Sequence, residues 1–459
     1  MITASLPTLL KQLGLLLLSA ALVWLSAPPT EWTYLAAVAW VPFFVALRSV
    51  TPRQGFYLGL THGLLCFGAT LSWFFNIFGT TAVAFWGILA LFSAVFGWLL
   101  GRVGSGNKRS WPWAIAVTWT GFEYFRGELS PLSFPWITPG VNFEPGWLTS
   151  VVGTYGVTFV LVLFQAKLAQ LCWSESRSWK DLAVVGLVAL CFLPAPDPGS
   201  NPEKALVVAL VQFEDVGEDT MLAESRPLLE KADILLWPEH ALGEFSGDHQ
   251  VLRPIFEKRV RLFVTGGTTT SLEGRIRNSG FTFQEGKLVH QHIKNHTVHF
   301  FAEGEKGTEA QAVDTVCGKI GTPVCFDCDH QDVVRRMTQD GAEFFLIPSL
   351  DAISWGETQH LQHARLFRHR AVENGRWLAV AATSGVTQVI DPAGRSDRFP
   401  VMEEGTVVKT IYPTEYRTLY TRGGWLFGPV AFGLTVVLIV LSFFPKFRSL
   451  LRTDRPRQR

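Results

Sequence analysis

The order in which apolar and polar stretches follow one another constrains this chain more than any other feature. Seven apolar segments fill residues 1–197, a polar stretch occupies 198–422, and an eighth apolar segment precedes a basic tail. A bilayer core takes about 20 consecutive apolar residues per helix. On that ground the segments near 8–27, 32–48, 54–76, 82–103, 111–126, 150–173, 181–196 and 424–444 read as spans. The first has no clear small-residue cleavage site and more spans follow at once, so it is expected to be retained. The expected domains are a seven-span membrane domain at 1–197, a polar domain at 198–422, and the eighth span with its tail at 423–459. The composition agrees, with 48% hydrophobic and only 17% charged residues and a net charge of +1. No basic face calls for nucleic acid.

Loop charge sets the orientation, because cytoplasmic loops carry an excess of Lys and Arg. Arg48 and Arg53 lie between the second and third spans, and Arg102, Lys108 and Arg109 between the fourth and fifth. Arg177 and Lys180 lie between the sixth and seventh, with Lys167 near the end of the sixth, and the tail holds Lys446, Arg448, Arg452, Arg455, Arg457 and Arg459. The intervening loops at 28–31 and 76–79 carry none. Both termini are therefore expected in the cytoplasm and residues 198–422 on the far side of the membrane. The long connection from Glu123 through Arg126 to Phe134-Pro135-Trp136 is also expected outside, lying on the bilayer surface.

Residues 194–202 read Pro-Ala-Pro-Asp-Pro-Gly-Ser-Asn-Pro, which cannot continue a helix. Apolar runs at 205–211, 233–237, 261–265, 279–283, 343–348, 377–382 and 386–390 read as strands, and 217–231, 250–259, 329–340 and 358–374 as helices. Alternation of this kind implies an α/β domain, and 279–290 looks like a hairpin, so mixed sheets are expected. Three chemical groups stand where strands appear to end, the usual place for functional side chains in such folds. Glu239 follows Ile234-Leu235-Leu236-Trp237-Pro238, Lys294 follows Leu288–Ile293, and Cys325 follows Ile320-Gly321-Thr322-Pro323-Val324. An acid, an amine and a thiol fit covalent acyl chemistry. A thiol at a strand-to-helix turn is expected to have its pKa lowered by nearby backbone N–H groups, which also serve an oxyanion. Cys325 and Cys328 form a lone C-x-x-C with no second pair, and nothing in the sequence brings His292 and His296 beside them, so no metal is expected.

The order and spacing of Glu239, Lys294 and Cys325 resemble the nitrilase superfamily. With seven spans before and one after, the chain is similar to its membrane-bound branch, the apolipoprotein N-acyltransferases. Trp237-Pro238-Glu239, Val324-Cys325-Phe326-Asp327, the run Gln359–Arg365 continued by Ala371–Arg376, Phe134-Pro135-Trp136 and Tyr420-Thr421-Arg422-Gly423 carry the resemblance. It implies an αββα sandwich outside the inner (cytoplasmic) membrane of a bacterium, on the periplasmic side. It also implies a Glu239–Lys294–Cys325 triad, with Phe326 and Glu303 supporting the transition state; Glu305 is the lesser match to the family's second glutamate, since the run after the lysine departs from the family pattern. Trp237, Trp355, Phe134 and Trp136 are the expected substrate-binding residues. The implied reaction takes an acyl chain from a phospholipid onto Cys325 as a thioester. It then passes the chain to the α-amino group of a lipoprotein's N-terminal diacylglyceryl-cysteine, without metal or nucleotide. A membrane-tethered nitrilase-type amidase, with water as second nucleophile, and a catalytically silent lipoprotein-binding membrane protein are the alternatives.

Overall fold

The computed structural model describes residues 6–103, 110–173, 179–247 and 252–444. Lys108, Arg109, Arg177 and the basic residues of the tail lie outside the described residues. The chain falls into two units. One comprises Met1–Glu144, Val152–Leu193 and Trp425–Arg459, the other Pro145–Val151 and Pro194–Gly424.

The first unit is helical. Its helix Pro52–Thr70 starts where the sequence supplies a cap: Thr51 accepts the Gln54 N–H at 3.3 Å, Gln54 accepts the Thr51 N–H at 3.0 Å, and Pro52 occupies the first turn, where a missing N–H costs nothing. This helix packs on Ala82–Val103 through small residues. A Cβ on Gly55 would lie 2.1 Å from the Gly97 carbonyl oxygen, so the two backbones meet directly. Among the described residues, four helical stretches are long and apolar enough to cross a bilayer: Leu6–Ser26, Phe74–Val103, Trp147–Leu171 and Gly424–Leu441. The other four segments that the sequence suggests are helical but fall short of that measure. Thr33–Ala37 and Val41–Ala46 are separate pieces, with Pro42 in the first turn of the second. Trp111–Tyr124 has 14 residues and Trp179–Cys191 has 13. Pro52–Thr70 carries Arg53, Gln54 and His62.

The connection after Tyr124 differs from the expected surface loop. It continues as a π-helix at Phe125–Leu129. Glu123 and Arg126 are buried and form an ion pair. The Arg126 guanidinium also donates to the carbonyls of Phe134 at 2.7 Å and Trp136 at 2.8 Å. Trp136 is buried, stacked on Phe134 and against Trp73. A charge in an apolar setting persists only when paired and hydrogen-bonded, and here the loop's own carbonyls supply the acceptors.

The second unit holds two six-stranded mixed sheets. In the first, the order is β12 (Gly405–Ile411), β1 (Leu206–Gln212), β2 (Ile234–Leu236), β3 (Leu262–Thr270), β4 (Ile276–Gln284), β5 (Lys287–Ile293). In the second it is β11 (Ser396–Arg398), β10 (Gln388–Ile390), β9 (Trp377–Ala382), β8 (Phe344–Ser349), β7 (Gly318–Gly321), β6 (Val313–Thr315). Val208, Leu210, Leu236 and Val264 of the first sheet pack against Ile320, Phe344, Leu346 and Ala379 of the second. The opposite face of the first sheet buries Leu235, Phe263 and Phe281 with Met221 and Leu222 of the helix Glu218–Ser225. The outer face of the second buries Phe345, Ile347 and Val380 with Val333 and Met337 of Asp332–Gln339 and Phe367 of Glu357–Asn374. Layers therefore run helix, sheet, sheet, helix, which is the αββα sandwich expected. Strands this uniformly apolar are buried on both faces, which explains why they read as continuous runs.

Candidate active site

Glu239, Lys294 and Cys325 come together in the second unit. Glu239 follows β2, and its N–H reaches the Ser349 carbonyl of the other sheet at 3.4 Å. β3 runs directly alongside: a Cβ on Gly266 would lie 2.5 Å from the Glu239 Cα. Lys294 follows β5, its N–H bonded to the Asn278 carbonyl on β4 at 2.9 Å. Cys325 lies four residues past β7, beyond Pro323, whose missing N–H ends the ladder. It opens a single 3₁₀ turn, Cys325–Cys328, with the helix starting only at Asp332. Its φ of +46° is rare for a residue with a Cβ and costs about 1–3 kcal/mol, strain of the kind that concentrates at functional sites.

The side chains form a buried, charged cluster. Lys294 is fully buried, and its Nζ lies 2.8 Å from Glu239 Oε1 and 2.8 Å from Glu303 Oε1. Asn278 Nδ2 donates to the same Glu239 oxygen at 2.6 Å. Oε2 of Glu239 is buried with no hydrogen-bond partner among the described residues. Glu303 is fixed in turn by the Val298 N–H, 2.9 Å from Oε2. The Cys325 thiol donates to the Leu350 carbonyl at 3.5 Å.

Burial alone would raise the Glu239 carboxyl. The Lys294 charge, then His240 and the bonds from Lys294 and Asn278, outweigh it and hold the group below the usual carboxylate range. Burial opposes the charge on Lys294, but Glu239, Cys325 and Glu303 keep its ammonium well above the ordinary lysine value. Burial pushes Glu303 up, and the pull of Lys294 does not fully offset it. Burial and then the Glu239 charge push the Cys325 thiol well above the ordinary cysteine value. This last direction corrects the expectation of a lowered thiol pKa. The turn is not the N-terminus of a helix, and desolvation outweighs the neighbouring cation. At rest the cluster is a neutral thiol beside a carboxylate with one unpartnered oxygen and an ammonium. Proton transfer to that oxygen would create the nucleophile only as it is used.

The expected supporting residues divide. Glu303 meets Lys294, whereas Glu305 turns to Arg275 and Arg277 at 2.7 and 3.0 Å. Phe326 packs its ring against His299 and His330. Trp355 lies half-buried against Phe301 at 5.5 Å. Trp237 does not line the site. It is fully buried in the outer core, edge-to-face with Phe263, its indole N–H donating to Ser225 at 2.9 Å. Phe134 and Trp136 belong to the helical unit.

Two further residues take part, Asn278, which the sequence did not single out, and Asp327, which it offered only as the acid of the Val324-Cys325-Phe326-Asp327 run. Asn278 anchors Glu239. Asp327 clasps the turn, accepting from the Val324, Asn295 and His296 N–H groups at 3.1, 2.9 and 2.8 Å and from His292 Nε2 at 2.8 Å. It thereby joins the segments that carry Cys325 and Lys294. His292 and His296 thus serve carboxylates, His296 lying 2.7 Å from Asp332.

Comparison with known proteins gives two successive matches. Residues 19–167 match the apolipoprotein N-acyltransferase N-terminal domain, and residues 221–418 match the carbon-nitrogen hydrolase family. The apolipoprotein N-acyltransferase of Geobacter metallireducens is 24% identical, over 93% of this chain and 94% of its own length. That of Pseudomonas putida is 25% identical, over 92% and 95%. Among solved structures, a carbon-nitrogen hydrolase from Helicobacter pylori aligns with 49% of this chain and 94% of its own, at 17% identity and a TM-score of 0.40.

Proposed function

The chain belongs to the apolipoprotein N-acyltransferase family, and we propose that it carries out that transfer through a thioester on Cys325, with a phospholipid as donor. The observation that supports this most is the pairing of one buried ammonium, Lys294, with two carboxylates beside a thiol on a strained residue. Oε2 of Glu239 takes the thiol proton as sulfur attacks the ester carbonyl of the phospholipid. The Lys294 ammonium, with backbone N–H groups near Phe326, stabilises the oxyanion. The tetrahedral intermediate collapses, the C–O bond breaks, and the lysophospholipid oxygen leaves with the proton held by Glu239. The α-amino group of a diacylglyceryl-cysteine then attacks the thioester, Glu239 accepts its proton, and the C–S bond breaks. That proton returns to the sulfur and an amide remains. Glu303 keeps Lys294 charged throughout.

Eight spans, with both termini in the cytoplasm and residues 198–422 on the periplasmic side of the inner membrane, complete the reading. Donor and acceptor are each anchored by acyl chains, and extracting them would cost about 0.8 kcal/mol per CH₂, so a site at the bilayer surface is favoured. Trp355 serves as an apolar contact for an acyl chain and limits water, which would hydrolyse the thioester. The test is incubation of the purified protein with phosphatidylethanolamine and a diacylglyceryl-cysteine peptide. An amide-linked third acyl chain on the peptide is expected. Release of free fatty acid alone, with the peptide unchanged, would make the protein a hydrolase.

A further inference from the structure

A second buried charged cluster lies beside the thiol, and the steps above do not use it. His363, on the helix Glu357–Asn374, is buried with its Nδ1 2.7 Å from Asp351 Oδ1 and its Nε2 3.2 Å from Asp329 Oδ1. Both carboxylates are buried as well. Asp351 also accepts from Gln359 Nε2 at 2.8 Å, one turn earlier on the same helix. His360 turns to the Ala352 carbonyl at 3.0 Å.

The two aspartates belong to the two segments that support the nucleophile. Asp329 closes the turn that Cys325 opens, its N–H bonded to the Phe326 carbonyl at 3.1 Å. Asp351 follows Leu350, whose carbonyl accepts the Cys325 thiol. The Asp351 backbone is itself held by Thr383 and Ser384, whose hydroxyls donate to its carbonyl at 3.0 and 2.6 Å. A ring that meets both carboxylates therefore spans the nucleophile's two supports.

We propose that His363 is a positioning residue for Cys325: as a doubly protonated ring between Asp329 and Asp351, it fixes the turn that carries the thiol relative to the carbonyl that orients it, and balances carboxylate charge that would otherwise oppose thiolate formation. The proposal rests on Cys325 as the nucleophile. Burial alone would lower the His363 pKa, but the charges of Asp351 and Asp329 raise it to about 10, so the ring is a cation at neutral pH. Asp351 in turn acts on Cys325, pushing the thiol up. A buried pair that loses one partner leaves an uncompensated charge, which is why removing the cation acts on the neighbour as well as on the packing.

The test uses the full chain in detergent and reads Cys325 directly. Iodoacetamide alkylation of Cys325, followed by peptide mass spectrometry across pH, reports thiolate formation without any lipid substrate. Cys325 acylation by phosphatidylethanolamine is followed in parallel. H363Q, and separately the milder D329N, are compared with the parent, and thermal melting confirms that each is folded. For H363Q the alkylation profile should move at least one pH unit higher and the acylation rate should fall at least tenfold, with KM for phospholipid changed less than twofold. D329N should lower the rate less than H363Q. An unchanged alkylation profile in a folded H363Q, or a shift to lower pH, would overturn the proposal. Absence of any acyl adduct on Cys325 in the parent after incubation with phosphatidylethanolamine would instead overturn the assignment of the nucleophile.

Discussion

Glu239 presents two oxygens in different circumstances. Oε1 is held by Lys294 and Asn278, while Oε2 is buried without a partner among the described residues. The carboxylate is thereby anchored through one oxygen and left basic at the other. E239Q retains the shape but cannot accept a proton, so acyl-enzyme formation should disappear. K294A removes an oxyanion donor, a loss worth about 2.7–4 kcal/mol or roughly 10²–10³ in rate. Single-turnover acylation checks both, and near-parental turnover by either folded variant removes that residue from the mechanism. At this scale the sequence was legible only where chemistry-bearing types end apolar runs. Asn278 lies in Arg277-Asn278-Ser279, an ordinary polar triplet until strand pairing sets β4 beside β5. His363 looks like any helical histidine until Asp329 and Asp351 close on it from loops 34 and 12 residues away. Trp237 misled because it adjoins Glu239. Leu236 faces the second sheet, so Trp237 faces the helix-covered side, as alternation along a strand requires.

Elements carried the fold more faithfully than single residues carried the site. The runs read as strands correspond to β1, β2, β3, β4, β8, β9 and β10, because buried strands are continuously apolar and cannot hide. β12 went unread. Gly405–Ile411 mixes Gly, Thr and Lys with its apolar residues, as an edge strand with one wet face does, and its partner β1 lies nearly 200 residues earlier. The expected helix after Cys325 starts three residues late, at Asp332, after a 3₁₀ turn at Cys325–Cys328 that Asp327 clasps. Packing between elements also constrains the site at Gly266. With Gly266→Ala the new Cβ would sit 2.5 Å from the Glu239 Cα, and backbone must move to admit it. G266A should therefore lose at least tenfold in acylation rate, while Gly217→Ala, at an exposed helix N-cap with φ of −71° and nothing within 4 Å, should leave the rate unchanged. Equal rates for the two variants would show that β3 does not set the position of Glu239.

The whole molecule joins an apolar helical unit to a sandwich that carries the chemistry, and the sequence order of apolar and polar stretches revealed that division directly. Span count was harder to read, because hydropathy does not distinguish a short packed helix from a full crossing: Trp111–Tyr124 and Trp179–Cys191 are both apolar and both short. Loop charge, not helix length, is what supports the proposed orientation. A reporter active only outside the cytoplasm should work when fused near residue 300 and stay silent when fused after Arg459; activity at the tail would contradict the orientation. The central claim is a thioester on Cys325 rather than on its neighbour Cys328, which is also buried. Intact-mass spectrometry after incubation with phosphatidylethanolamine tests it most directly. The account predicts one acyl adduct, removed by hydroxylamine, retained in C328A, and replaced in C325S by no adduct or by a hydroxylamine-resistant oxygen ester. A hydroxylamine-sensitive adduct that persists in C325S, or disappears in C328A, would contradict it.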